Sequence, residues 1–166
     1  MKINEESSEK SAYLYAIRLL AKQDYSNYKI TKKLKDRGYE SIHISATIDK
    51  IIDLGYLREE NYSIARIQAY MHKGLHPEFI QMKLKQEFVE VELSLIHEVF
   101  SEYSITSDHQ LGKIIVKKSL DKESYNLLAY EAQQKMKQKV FRYAQSKGHQ
   151  FDDIQRIFSK VLNNSQ

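Results

Sequence analysis

The sequence predicts an all-α fold: three tandem three-helix units forming an elongated, curved helical-repeat array. Three observations predict it. The 166 residues include only five glycines and one proline, well below the usual share, and an all-β chain of this length needs many turns built from those residues. Apolar residues recur at helical spacing through nearly the whole chain. Finally, a short pattern repeats in register: Ile30–Leu34–Gly38, Ile80–Leu84–Phe88 and Val140–Ala144–Gly148, at intervals of 50 and 60 residues.

The elements follow in order. Ser7 or Ser8 caps a first helix running to about Ala21, with Tyr13, Ala16, Ile17 and Leu20 on one face. Ser26 caps a second, with Ile30 and Leu34 inward and Gly38 as its left-handed stop. Ser41 caps a third, with Ile44, Ile48, Ile51 and Ile52 inward and Gly55 as the stop. A fourth runs from about Glu60 to Lys73 and stops at Gly74. Pro77 opens the fifth, where its missing N–H costs nothing. Ile80 and Leu84 point inward there, and Phe88 takes the slot of Gly38. Because Phe adopts the left-handed region less cheaply than Gly, the fifth helix is expected to continue or to end differently.

A sixth helix carries Leu93, Ile96, Val99 and Phe100, and a seventh carries Leu111, Ile114 and Ile115. Gly112 has no evident role inside the seventh, where it should cost about 1 kcal/mol relative to Ala. An eighth helical stretch ends at Gly148, with Met136, Val140, Tyr143 and Ala144 on one face. The ninth starts near Asp152 and holds Ile154, Ile157, Phe158 and Val161. The expected organisation is therefore units at 10–57, 58–104 and 105–163, with tails at 1–9 and 164–166. Each unit is too small to be very stable alone, so neighbours should dock.

Composition excludes several functions. Without cysteine there is no disulfide, no thiolate metal site and no Cys nucleophile. No apolar run approaches the roughly 18–20 residues of a membrane span. The start, with Glu5, Glu6 and Glu9, lacks the apolar core of a signal peptide. A cytoplasmic protein is expected, with no membrane partner. No phosphate loop, dinucleotide fingerprint or nucleophile elbow occurs. His72 and His76 have i,i+4 spacing, but Gly74 and Pro77 interrupt their helix, so these and the other histidines read as surface or capping residues. The chain is read as a non-enzyme with no cofactor and no metal.

The net charge of +4 is unevenly spread. Residues 86–112 carry six acids and no Lys or Arg, whereas 113–147 carry nine bases and three acids. A basic last third beside an acidic middle suits a composite protein–DNA partner. Three basic sets lie at helical pitch: Lys32, Lys33 and Arg37 (with Lys29); Lys113, Lys117 and Lys118; and Lys135, Lys139 and Arg142. Such rows can follow phosphates. Tyr13, Tyr39, Tyr56 and Tyr143 fall at core-facing positions, which leaves them as packing residues rather than stacking platforms.

Several of these residues resemble the RecX family of bacterial recombination regulators. The stretch Ala16-Ile17-Arg18-Leu19-Leu20-Ala21-Lys22, then Tyr25-Ser26, Lys32-Lys33-Leu34 and Arg37-Gly38-Tyr39, is similar to its opening pattern. Gly55-Tyr56-Leu57 with Tyr62, Lys73-Gly74 with Pro77, Ile80 and Leu84, and Lys147-Gly148 with Asp153-Ile154-Gln155 and Ile157-Phe158 continue it over about residues 12–162. Arg58-Glu59, His76, Phe88 and His149 depart from the family pattern. The resemblance implies binding in the groove of the RecA–DNA filament, with single- or double-stranded DNA as part of that filament. It further implies restraint of ATP hydrolysis, filament extension and strand exchange in DNA repair and recombination. The expected form is a monomer. The alternative reading is a sequence-reading helix-turn-helix DNA-binding protein, since such readers are also small three-helix units.

Overall fold

A computed structural model describes residues 8–119 and 122–163. Those residues form ten helices and no strand. They are α1 (Glu9–Leu20), α2 (Asn27–Asp36), α3 (Ser41–Asp53), α4 (Glu59–His72), α5 (Pro77–Gln86), α6 (Leu93–Glu102), α7 (Ser107–Lys118), α8 (Lys122–Asn126), α9 (Tyr130–Gln145) and α10 (Phe151–Asn163). The fold is an all-α helical repeat. The short α8 interrupts the stretch for which a single eighth helix is expected, so the count is ten where the sequence pattern suggests nine. Of the expected tails, residues 1–7 and 164–166 lie outside the described residues, while Ser8 caps α1 and Glu9 opens it. Among the described residues, no helix is long and apolar enough to cross a membrane.

Contacts gather the chain into two compact units, Met1–Ala65 and Arg66–Gln166. In the first, α1, α2 and α3 pack on one another around Ala12, Ala16, Tyr25, Ile30, Leu34, Ile44, Ile48, Ile51 and Leu57. Ser8 caps α1 reciprocally with Ser11, and the buried Ser26 accepts the Lys29 N–H at the start of α2. Two departures from the family pattern have local roles in this unit. Arg58 Nε donates to the Gly55 carbonyl at the end of α3, and Glu59 accepts the Asn27 N–H at the start of α2. A cation at a helix C-terminus and a carboxylate at an N-terminus both complement the helix dipole.

In the second unit α5 packs on α6, and α7, α9 and α10 pack together around Leu111, Ile115, Val140, Phe141, Ala144, Ile154, Ile157 and Phe158. Tyr125 of α8 meets Phe158 edge-on, with ring centroids 6.0 Å apart.

The repeated pattern has one geometry in all three places. Ile30, Leu34, Ile80, Leu84, Val140 and Ala144 are all 0% exposed. After each pair the chain turns through a residue at positive φ: Gly38 at 92°, Phe88 at 58° and Gly148 at 88°. Each turn is closed by the same two backbone bonds. For α2 these are Gly38 N–H to Lys35 O and Tyr39 N–H to Leu34 O; for α5, Phe88 to Lys85 and Val89 to Leu84; for α9, Gly148 to Gln145 and His149 to Ala144. These are Schellman closures, in which orphan carbonyls of the last turn find donors. Gly55, Gly74 and Ser104 follow α3, α4 and α6 in the same conformation.

Phe88 thus corrects an expectation. α5 ends as α2 and α9 do, with Phe in the glycine slot and the residue 62% exposed. The buried Val89 that follows it anchors the turn and holds the strained residue in place. Other departures are local. The N-cap of α3 is Glu40, one residue before Ser41, and its side chain makes no capping bond. Ile52 and Tyr56 are exposed, because the apolar stripe of α3 is narrower than its isoleucines suggest. Tyr13 and Tyr39 pack partly buried on the first core, and Tyr143 on the second.

His149 is the largest departure, being only 3% exposed. Its Nε2 stands 2.9 Å from the Gly74 carbonyl, so Nε2 carries the hydrogen and Nδ1 is bare. That Nδ1 is buried with no hydrogen-bond partner among the described residues. The His76 ring stacks edge-on against it at 5.5 Å, and the His76 N–H donates to Lys147 O at 2.9 Å. The loops that end α4 and α9 are tied together here. Burial pushes the His149 imidazole below the usual histidine range and His76 pushes it the same way, while the Gly74 bond and Asp153 oppose the shift. A lowered folded value means that the unfolded chain takes the proton first. Stability should therefore hold above the ordinary histidine value of about 6.5 and fall as the pH drops below it. Thermal melts at pH 7.5 and 5.5 should show the loss, and His149→Gln should flatten it.

Candidate nucleic-acid interface

The basic set of the first unit lies on and just after α2: Lys32 is opposite the buried Ile30 and Leu34, Lys33 is to one side, and Arg37 is the C-cap residue. Lys32, Lys33 and Arg37 are exposed. Tyrosines hold several of these cations in place. Arg37 lies over Tyr15 at 4.7 Å, Lys33 over Tyr25 at 5.7 Å and Lys29 over Tyr62 at 5.4 Å. Lys29 Nζ also donates to the Tyr62 hydroxyl at 2.7 Å. Such cation–π contacts fix a charge without neutralising it.

In the second unit the cations converge. The end of α4, one side of α7 and Tyr143 of α9 enclose an open cleft of about 180 Å³. Lys73, Lys113, Lys117 and Lys118 line it, with His72 and His109, and no carboxylate is among the lining residues. Lys118 lies over the Tyr143 ring at 4.3 Å and Lys147 over it at 5.3 Å.

Local sequence explains how α7 comes to this position. Thr106 caps it by accepting the His109 N–H at 3.1 Å. Leu111, Ile114 and Ile115 bury one face, which leaves His109, Lys113 and Lys117 in a row at i, i+4, i+8 on another. Gln110, itself buried, donates from Nε2 to the Met71 carbonyl at 2.8 Å and pins α7 to the end of α4. Ile114 Cδ1 lies only 3.4 Å from where a Cβ on Gly74 would be.

The acidic stretch ends beside this cleft without cancelling its field. Asp108, next to His109, is held by both Arg156 guanidinium NH groups at 2.7 Å. Hydrogen bonding to Arg156 holds the Asp108 carboxyl below the usual carboxylate range.

The expected third-unit residues therefore separate into two groups. Lys113, Lys117 and Lys118 share the cleft. Lys135, Lys139 and Arg142 are exposed on α9 and are not among its lining residues. Lys73, His72 and His109 join the cleft, although spacing marks none of them as part of a basic set. Lys73 stands in a Lys-Gly pair read only as a helix stop, and only the tertiary docking of α4 on α7 brings it to the site. His72 packs edge-on against Tyr103 at 5.5 Å, whereas His76 packs against His149, so the two do not converge. Among the described residues, no group of three or more His, Asp or Glu could hold a metal ion.

Fold and cleft together define an all-α helical-repeat protein with a lysine-lined surface suited to polyanions. Residues 12–50 match the family model described as RecX, first three-helix domain. The chain is 26% identical over 144 residues to the regulatory protein RecX of Vibrio campbellii, covering 87% of each. It is 24% identical over 149 residues to that of Trichlorobacter lovleyi, covering 89% of this chain and 94% of the relative. The fold is similar to the crystal structure of RecX from Lactobacillus salivarius, with a TM-score of 0.68 at 20% identity over 92% of this chain and 96% of that one. The chain is thus similar to RecX proteins over most of its length, with the family model matched in its first three helices.

Proposed function

We propose that this protein is a negative regulator of the RecA recombinase. It binds as a monomer, in the cytoplasm, within the groove of the RecA–DNA filament, and it is not an enzyme. The observation that carries this reading is the cleft of Lys73, Lys113, Lys117 and Lys118, free of carboxylates, in a chain whose relatives are regulatory proteins. Inhibition is mechanical: a chain bridging neighbouring protomers opposes the motions of the ATP cycle and blocks a second DNA. The acidic stretch 86–112 supports a composite partner, since an acidic face avoids DNA and meets basic protein. No observation favours the sequence-reading alternative.

The test is a titration against RecA filaments on single-stranded DNA and against naked duplex at the same salt. Affinity for the filament should exceed that for naked duplex by at least about tenfold, or about 1.4 kcal/mol. Equal affinity would contradict the proposal.

A further inference from the structure

Gly112 sits in the middle of α7, where glycine is a poor helix former. Nothing inside the protein requires it. Its φ is not positive, and a Cβ built there meets no heavy atom within 4 Å among the described residues. By contrast, the residues around it are organised. His109, Gly112, Lys113, Val116 and Lys117 line a shallow hollow of about 390 Å³ on the surface of α7. Its apolar strip is Gly112 and Val116, four residues apart, and Val116 is 67% exposed. Lys113 and Lys117, which form its other side, also line the lysine cleft. The row of His109, Lys113 and Lys117 is thus a ridge, with the cleft on one side and the bare Gly112–Val116 strip on the other.

We infer that Gly112 is a close-approach point: one strand of DNA crosses α7 here, its sugar–phosphate backbone seated on the Gly112–Val116 strip. Lys113 and Lys117 then reach its phosphates. The missing Cβ lets a backbone come nearer to the helix than any other residue would allow. Charge selects the occupant. The hollow and the cleft together contain Lys73, Lys113, Lys117 and Lys118 and no carboxylate. Lys113 and Lys117 are about 6 Å apart along the helix axis, a stride that suits successive phosphates of an extended strand. Val116 offers apolar contact to sugar carbons, which is sequence-independent and matches backbone positioning rather than base readout. This inference rests on the proposed function for the occupant and goes beyond it in assigning the strand's path and the residue that admits it.

The test separates stability from binding. Gly112→Ala removes a helix-weakening residue and fills open space, so the melting temperature should rise by about 2–4 °C. Binding of the full chain to a fluorescein-labelled single-stranded oligonucleotide at low salt should weaken by at least about threefold, and by tenfold or more for Gly112→Gln, roughly the factor that 1.4 kcal/mol represents. A more stable protein that binds DNA less well is the signature of a close approach. Lys113→Gln with Lys117→Gln serves as the comparison. If those lysine variants lose DNA binding while Gly112→Gln keeps it, the close approach is wrong and the cleft reading stands. If neither set changes DNA binding, the cleft is not a DNA site and both readings fall. If Gly112→Gln loses binding to a poly-glutamate peptide as strongly as to DNA, the surface is a general acid-binding one and the inference is overturned.

Discussion

Reversing the α7 lysines, as Lys113→Glu with Lys117→Glu and Lys118→Glu, is expected to raise the concentration needed for half-inhibition of RecA by at least about tenfold. Three phosphate contacts would become repulsions in a cleft that has no carboxylate of its own. Each neutralised phosphate adds about 0.7–0.9 to the slope of log affinity against log salt, so the slope should also become shallower by about 2. Lys113 and Lys117 are exposed and Lys118 partly so, and the buried face of α7 is untouched. Helix content should therefore be unchanged. The matching reversal of Lys135, Lys139 and Arg142, which lie off the cleft, should have the smaller effect. Unchanged inhibition by the α7 variant would remove those lysines from the account.

Gly148→Ala should be the most destabilising alanine substitution among the glycines. Two penalties coincide there. The residue sits at φ 88°, which costs a non-glycine about 1–2 kcal/mol. Its Cβ would also overlap Phe79 Cβ and lie 2.7 Å from Phe79 Cγ. Overpacking of this kind typically costs a further 1–3 kcal/mol. A total of about 3 kcal/mol corresponds to a fall of about 6–12 °C in Tm for a chain of this size. Gly38→Ala is the control. It has a similar φ of 92° but nothing within 4 Å of the new Cβ, so only the conformational penalty applies. Thermal melts of the two variants would separate strain from overlap, since only Gly148→Ala adds the contact with Phe79.

The contrast between these glycines indicates what a sequence can and cannot reveal. Both end a helix after an apolar pair, and that local signal is legible because it depends on one turn of chain. The clash with Phe79 is not legible, because it arises where the loop after α9 meets α5. Phe88 and Ser104 show the same limit from the other side. Each takes the left-handed conformation without glycine, and the buried Val89 after Phe88 is what outweighs the propensity. His149 reads as a polar surface residue until the Gly74 carbonyl supplies its hydrogen bond from 75 positions away. In the candidate site, the rows at i, i+4 place Lys113 and Lys117 together from spacing alone. The addition of Lys73 and the separation of Lys135, Lys139 and Arg142 depend on how α4, α7 and α9 pack. Gly112 is informative for a different reason: its cost is plain in the sequence, and the structure supplies no internal contact to offset it.

The most direct test of the central claim is RecA-catalysed, DNA-dependent ATP hydrolysis with this protein added at well below one copy per RecA. A chain that bridges protomers in the filament groove and stops extension should slow hydrolysis strongly at such ratios, and raising the salt should relieve the effect. Hydrolysis that continues undiminished until the protein matches or exceeds RecA, or that falls only as the protein competes for free DNA, would contradict it.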